Sequence, residues 1–250
     1  MVAATFVGET SILAGQAAWL AMRGKFSLRE TIRQMAAMGV DSIPIIMLTC
    51  AATGSVLAFY VADVLVRFGG ASFVGGMIAL SFLLELGPVL AGVMVAARSG
   101  AAVAAEIGSM VVTEQIDALR MMSVPPVRYL VTPRVLACIL MMPICGLFAD
   151  MAGIFGGLLM ASTHGVTQSA FMESIRTMAT HADLMKGLAK TLWFGLTIAV
   201  VACHQGLNTQ RGATGVGAAT TRSVVLCVVF IFVSDFFLAQ VLSGASASMR

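Results

Sequence analysis

Only 11% of the 250 residues are charged, so each charged side chain stands out against its surroundings. Five lie where charge is most costly. Glu85, Arg98 and Glu106 share one long apolar stretch, and Asp150 and Asp235 sit in two others. Carboxylates and a guanidinium in such places can form structural ion pairs, relay protons or cations, or hold the polar part of a substrate. Glu85 and Arg98 are 13 residues apart, about 20 Å along a straight helix, so they cannot pair within one helix. Arg98 therefore requires Asp150, Asp235, a backbone carbonyl or a lipid phosphate. A second polar group, Glu106 together with Glu114, Gln115, Asp117, Leu119 and Arg120, surrounds a short segment between two apolar stretches. Its chemistry is that of docking. There is no G-x-x-x-x-G-K-[ST] loop for nucleotide phosphates, no G-x-S-x-G elbow and no H-E-x-x-H helix. His164, His181 and His204 have no ligand spacing, and Cys50, Cys138, Cys145, Cys203 and Cys227 lie in apolar runs without a C-x-x-C pair. No catalytic residue and no metal site are expected.

The elements that must position these groups follow from composition. Hydrophobic residues make up 59% of the chain, and the net charge is +3. Mean hydropathy is +0.96. A soluble core of this size cannot hide so much apolar surface, which excludes a soluble enzyme, a disordered chain and a nucleic-acid-binding domain. Five stretches reach the length of about 20 residues that a bilayer requires. They are Ile43 to Val66, Met77 to Ala105, Val135 to Ser162, Leu184 to Cys203 and Val224 to Leu242. The fold expected is an all-α integral membrane protein. It has a membrane domain over 43–250, preceded by an interfacial region over 1–42. The start lacks the basic residues of a cleaved signal peptide.

Basic residues set the orientation. Arg23, Lys25, Arg29, Arg33, Arg120, Arg128, Arg134, Arg211 and Arg222 fall on one side of the spans. Arg67, Arg176, Lys186, Lys190 and Arg250 form the smaller set on the other. The positive-inside rule then puts the N-terminus in the cytoplasm. Ser27 and Glu30 form a capping box for an amphipathic helix that Gly39 stops. Leu28, Ile32, Met35 and Gly39 share one face, and Lys25, Arg29 and Arg33 flank it, as suits a helix lying in the headgroup layer. Residues 1–22 read as a further interfacial or partly inserted segment.

Span two carries Gly92, Ala96, Gly100, Ala104 and Gly108, a small residue at every fourth position, where another helix can approach closely. Gly87-Pro88 predicts a bend. Beyond it, residues of about 107–122 fit one amphipathic helix that Pro125-Pro126 ends. Thr167 onward predicts a short helix in the outer loop 164–183. The Gly-rich stretch 205–221 reads as a flexible connector, with a phosphate cradle as the less favoured alternative.

At these residues a resemblance appears. Glu85-Leu-Gly-Pro-Val-Leu-Ala-Gly, Ala-Ala-Arg98-Ser-Gly-Ala-Ala-Val-Ala-Ala-Glu106-Ile-Gly-Ser-Met and Val112-Thr-Glu114-Gln-Ile-Asp117-Ala-Leu-Arg120 resemble the MlaE/YrbE permease family. So do Pro126-Val-Arg-Tyr129-Leu-Val-Thr-Pro133-Arg134 and Gly215-Val-Gly-Ala-Ala-Thr-Thr221-Arg222. Ala97, Ser99 and Ser123 depart from it: the family often has Gly, a branched residue and Gly there.

The resemblance implies a permease of an ABC transporter in the bacterial inner membrane, working as a homodimer. A cytoplasmic ABC ATPase would hold ATP and Mg and dock on the region Glu114 to Leu119. A periplasmic MCE-domain hexamer would exchange lipid with the permeases, and some systems add a STAS-domain subunit. Phospholipid is the cargo implied for the Mla branch, which maintains outer-membrane lipid asymmetry. Sterols or fatty acids are implied for Mce-type importers. The residues alone leave two other readings open: an ion-coupled secondary transporter using Glu85, Glu106, Asp150 and Asp235, and a non-transporting scaffold.

Overall fold

The computed structural model describes residues 2–24, 26–210 and 212–247. Lys25, Arg211 and Arg250, which entered the charge count above, lie outside them. The described residues are helical almost throughout, without strands. Five helical runs are long and apolar enough to cross a membrane: Leu28–Arg67, Ala71–Val112, Val127–Thr163, His181–Leu207 and Ala213–Leu242. They match the five expected stretches in order; the first four run beyond their expected bounds at both ends and the fifth at its start.

The helices are α1 (Val2–Met22), α2 (Leu28–Met38), α3 (Ile43–Arg67), α4 (Val74–Ser81), α5 (Gly87–Val95), α6 (Ala101–Val112), α7 (Gln115–Met121), α8 (Thr132–Thr163), α9 (Gln168–Met178), α10 (His181–Leu207) and α11 (Ala213–Ala247). The second span is thus α4, α5 and α6 in succession, joined by two π-helical turns at Phe82–Leu86 and Ala96–Gly100. A third π-helical turn, Val127–Val131, leads into α8.

The chain divides into two compact units. The first holds Met1–Ser42, Gly92–Met142 and Leu192–Phe237. Its core centres on the buried Phe194, Ile107, Met142, Ile198 and Ile231. The five small residues of span two are all buried here. A Cβ at Gly100 would lie 3.5 Å from Ile198, and one at Gly108 would lie 2.7 Å from the Thr209 hydroxyl. Four-residue spacing runs about 40° ahead of the α-helical turn at each step. The wider π turn inside the ladder takes back part of that drift, so the strip keeps facing α10.

The second unit holds Ile43–Ala91, Pro143–Thr191 and Leu238–Arg250. Phe82, Phe171, Ile46, Ile78 and Val74 fill its core. Glycines set its helix spacing: a Cβ at Gly54 would run into the backbone of Gly153, and one at Gly156 into the Ala51 carbonyl. The short helix α9 is capped by Thr167, which accepts from the Ala170 N–H. It is pinned to α4, where the Gly76 N–H donates to the Ser174 hydroxyl at 2.8 Å.

Three expectations need correction. Residues 107–122 are not one helix, because the chain breaks at Thr113 and Glu114, where Glu114 takes a left-handed φ of 58°. The stretch 205–221 is mostly helical rather than connector: α10 continues to Leu207 and α11 starts at Ala213. The α2 face is also more divided than its spacing suggests. Leu28 and Ile32 are exposed, whereas Gly39 is buried beneath Met141.

Gly156→Val should force α3 and α8 apart and lower stability by about 1–3 kcal/mol, the usual range for overpacking. Gly217→Ala, with open space around it, should change little. Thermal unfolding of the detergent-solubilised protein checks both, and equal melting temperatures would contradict the glycine-set spacing.

Candidate functional site

In the second unit, the site begins with a missing hydrogen. Pro88 has no N–H, so the Leu84 carbonyl four residues earlier loses its helical donor. The Lys190 ammonium takes that place, donating to the Leu84 carbonyl at 2.9 Å. The same ammonium meets Glu85 at 2.8 Å. The Lys190 side chain is only 3% exposed, whereas that of Glu85 is 47% exposed. A buried cation thus holds a carboxylate that still faces outward. The sequence reading assigned Lys190 to the outer side of the membrane. Its value of about 20 Å between Glu85 and Arg98 did point to partners on other helices. Asp150 is buried on α8, and its carboxylate lies against Gly87, where a Cβ would collide with it. One of its oxygens has no hydrogen-bond partner.

In the first unit, Arg98 meets neither Asp150 nor Asp235. It pairs with Asp41 at 3.7 Å and donates to the Ala37 carbonyl and the Ser42 hydroxyl, each at 3.2 Å. Of the partners considered from sequence, only a carbonyl is among these. Asp41, just past α2, was missed because residue type alone gave no reason to bring it to span two. Ser99 strengthens the joint by donating to the Met38 carbonyl at 3.1 Å and contacting Ser42 at 3.1 Å. Two turns further along the same span, Glu106 pairs with the buried Arg134 at 2.7 Å. Arg134 also donates to the Leu130 carbonyl at 2.9 Å. Glu106 therefore stands apart from α7, tying α6 to the start of α8.

The α7 segment is built for exposure. Ile116 is buried and anchors it, while Glu114, Gln115, Asp117, Arg120, Met121 and Met122 face outward and Leu119 is half-buried. Asp117 and Arg120 pair at 3.1 Å along the surface. Left-handed residues bracket the helix: Glu114 before it and Ser123, with φ 59°, after it. Glycine suits such a conformation best, yet both positions carry a side chain. Asp235 is half-buried on α11, among exposed Phe232, Val233, Phe236 and Phe237.

Two polar contacts escaped the sequence reading. Glu9 of α1 meets His204 at 2.9 Å, and Asn208 joins them at 3.0 Å. The 195 residues separating Glu9 from His204 carry no local pattern that would join them.

Comparison with known proteins places this geometry. The family described as permease MlaE matches residues 31–241. A probable ABC transporter permease protein of Synechocystis is 40% identical over 228 residues, covering 91% of this chain and 87% of that protein. One from Rickettsia felis is 38% identical over 235 residues, covering 94% and 91%. The chloroplastic protein trigalactosyldiacylglycerol 1 of Arabidopsis thaliana is 35% identical over 241 residues, covering 96% and 69%.

Removing Lys190 should leave both the Leu84 carbonyl and Glu85 without their donor. Lys190→Met is expected to destabilise more than Glu85→Gln, and the double variant should fall short of the sum by about 0.5–3 kcal/mol. A double-mutant cycle on thermal unfolding measures this. Strict additivity would mean that the pair contributes nothing.

Proposed function

Since the chain belongs to the MlaE permease family, and is a multi-pass membrane permease subunit, we propose that it moves phospholipid between the inner membrane and a periplasmic MCE partner. On this reading it works as one of two permease copies above two cytoplasmic ABC ATPases, which hold the ATP and Mg, with or without a STAS-domain subunit. The N-terminus is cytoplasmic, and transport maintains the lipid asymmetry of the outer membrane.

The observation that carries the reading is α7. It is a seven-residue helix anchored by one buried isoleucine, with its polar residues exposed, set between two membrane-spanning runs. Such a helix suits a groove on a partner protein better than it suits a core. When the ATPases close, α7 follows its groove and the second span moves with it. The small-residue face of that span lets helices shift against it with little steric resistance.

Lipid as cargo draws support from two further features. In the second unit an apolar cavity of about 510 Å³ is lined by Met47, Phe148, Met151, Phe155, Leu158 and Met172, among others. Walls of this kind suit acyl chains. The Arabidopsis relative also carries a diacylglycerol lipid in its name. The exposed phenylalanines and valines of α11 suit a second permease copy in the bilayer. The same apolar walls would accept sterols or fatty acids, the cargo of the alternative importer reading. The unpartnered oxygen of Asp150 is what favours the ion-coupled alternative.

Asp117→Lys is expected to cut ATP-driven lipid transfer by about tenfold or more, equivalent to about 1.4 kcal/mol of lost coupling, while the permease stays in the membrane at its normal level. Reconstituted vesicles containing the whole complex and labelled phosphatidylethanolamine measure transfer alongside ATP hydrolysis. Unchanged coupling would refute the role given to α7, and transfer driven by a proton gradient without the ATPase would refute the ABC reading.

A further inference from the structure

A second cavity, of about 350 Å³, lies in the first unit between α2 and the second span. Its charged lining comprises Arg98, Asp41 and Glu106, with Gln34 as a neutral polar neighbour and Met38 and Val103 as apolar walls. The Asp41, Arg98 and Glu106 side chains remain 59%, 41% and 48% exposed. Their ion pairs therefore leave capacity for another ligand. The Arg98 guanidinium donates to the Ala37 carbonyl and the Ser42 hydroxyl, which fix its direction before any ligand arrives. Its separation of 3.7 Å from Asp41 is longer than the 2.7–2.9 Å of a tight charge-assisted hydrogen bond. Arg134, almost fully buried, backs Glu106.

The balance of charge selects the ligand class. Two guanidiniums, Arg98 and Arg134, offset two carboxylates, Asp41 and Glu106. An anionic group would bring surplus negative charge, and a simple cation would compete with Arg98. A zwitterion adds no net charge and can answer both signs. The neighbouring α2 exposes Leu28 and Ile32, as befits a helix whose outer face meets acyl chains. A headgroup entering the cavity can therefore keep its tails in the adjoining lipid.

We propose that the cavity bounded by Asp41, Arg98 and Glu106 binds the zwitterionic headgroup of a phospholipid from the cytoplasmic leaflet. Arg98 meets the phosphate, and Asp41 and Glu106 meet the ammonium. The inference rests on the orientation in the proposed function, which puts α2 on the cytoplasmic side. It concerns equilibrium binding and needs no transport step.

Lipid retention tests it. The full-length protein, exchanged into detergent micelles doped with equal amounts of phosphatidylethanolamine and phosphatidylglycerol, is read by native mass spectrometry. The wild type should retain one phosphatidylethanolamine in about tenfold preference. Asp41→Asn removes an exposed carboxylate and should reduce that preference several-fold without loss of the folded protein, which the melting curve checks. Arg98→Gln should abolish retention of either lipid. Arg98→Lys, which keeps the charge without the fork, should recover part of it and so separates lost binding from lost folding. Equal retention of both lipids by the wild type, or an Asp41→Asn protein with an undiminished preference, overturns the proposal. Cysteine-accessibility labelling of Ser27→Cys in sealed vesicles reports the orientation separately. Labelling from the periplasmic side would overturn the orientation even if headgroup preference were found. ATP-driven transfer is not read in this experiment, so a failure of the transport reading would show elsewhere.

Discussion

The structure depends on how a membrane-spanning helix treats its own irregularities. In hydrocarbon a carbonyl without a donor has no water to turn to, and each such group costs several kcal/mol. The second span contains a proline and two π-helical turns, and each disturbs the regular backbone ladder. The Lys190 ammonium shows how the difficulty is resolved. One buried cation replaces the missing Pro88 N–H at Leu84 and neutralises Glu85 as well. Proline and lysine are each unfavourable in a span, yet here each removes the cost of the other. This places Glu85 half-exposed while its charge is already balanced.

The same logic governs the first unit. Arg98 lies within the second π-helical turn, and its guanidinium reaches the end of α2 and the residues just beyond it. By binding Ala37, Asp41 and Ser42 together, it fixes the end of α2 to the second span at three atoms. Glu106 and Arg134 repeat the device for the start of α8. The ion pairs are therefore joints between helices rather than isolated surface pairs.

How much of this was legible in the sequence depended on the range of the signal. Span number and order followed from apolar length alone. The Ser27 cap was readable because it acts within three residues. The α7 element was legible from polarity and from resemblance to known permeases, but its break at Glu114 was not. A left-handed glutamate leaves no mark in composition, since glycine is the residue that normally signals that conformation. Partner identity was the least legible. Arg98 needed a partner on any reading, but Asp41, 57 residues away, is brought near only by the packing of α2, and the Ser42–Ser99 contact shows the same separation. Lys190 went unrecognised as a partner for a related reason. Its burial follows from Pro88, and nothing local to Lys190 announces a missing donor on another helix.

The break at Glu114 bears on how motion could pass through the protein. A disordered loop between the second span and α7 would let either end move without the other. Here the joint is short and conformationally fixed. Two non-glycine residues take left-handed backbone, each at a cost of about 1–2 kcal/mol, and local bonds hold them there. The Glu114 N–H donates to the Val111 carbonyl at 3.1 Å, the Ser123 N–H to Arg120 at 3.0 Å and the Val124 N–H to Leu119 at 3.0 Å. With Ile116 buried, α7 cannot swing freely about its ends. A fixed angle between a short exposed helix and a long apolar one is what a lever requires, and the backbone strain at Glu114 and Ser123 is the cost of keeping that angle.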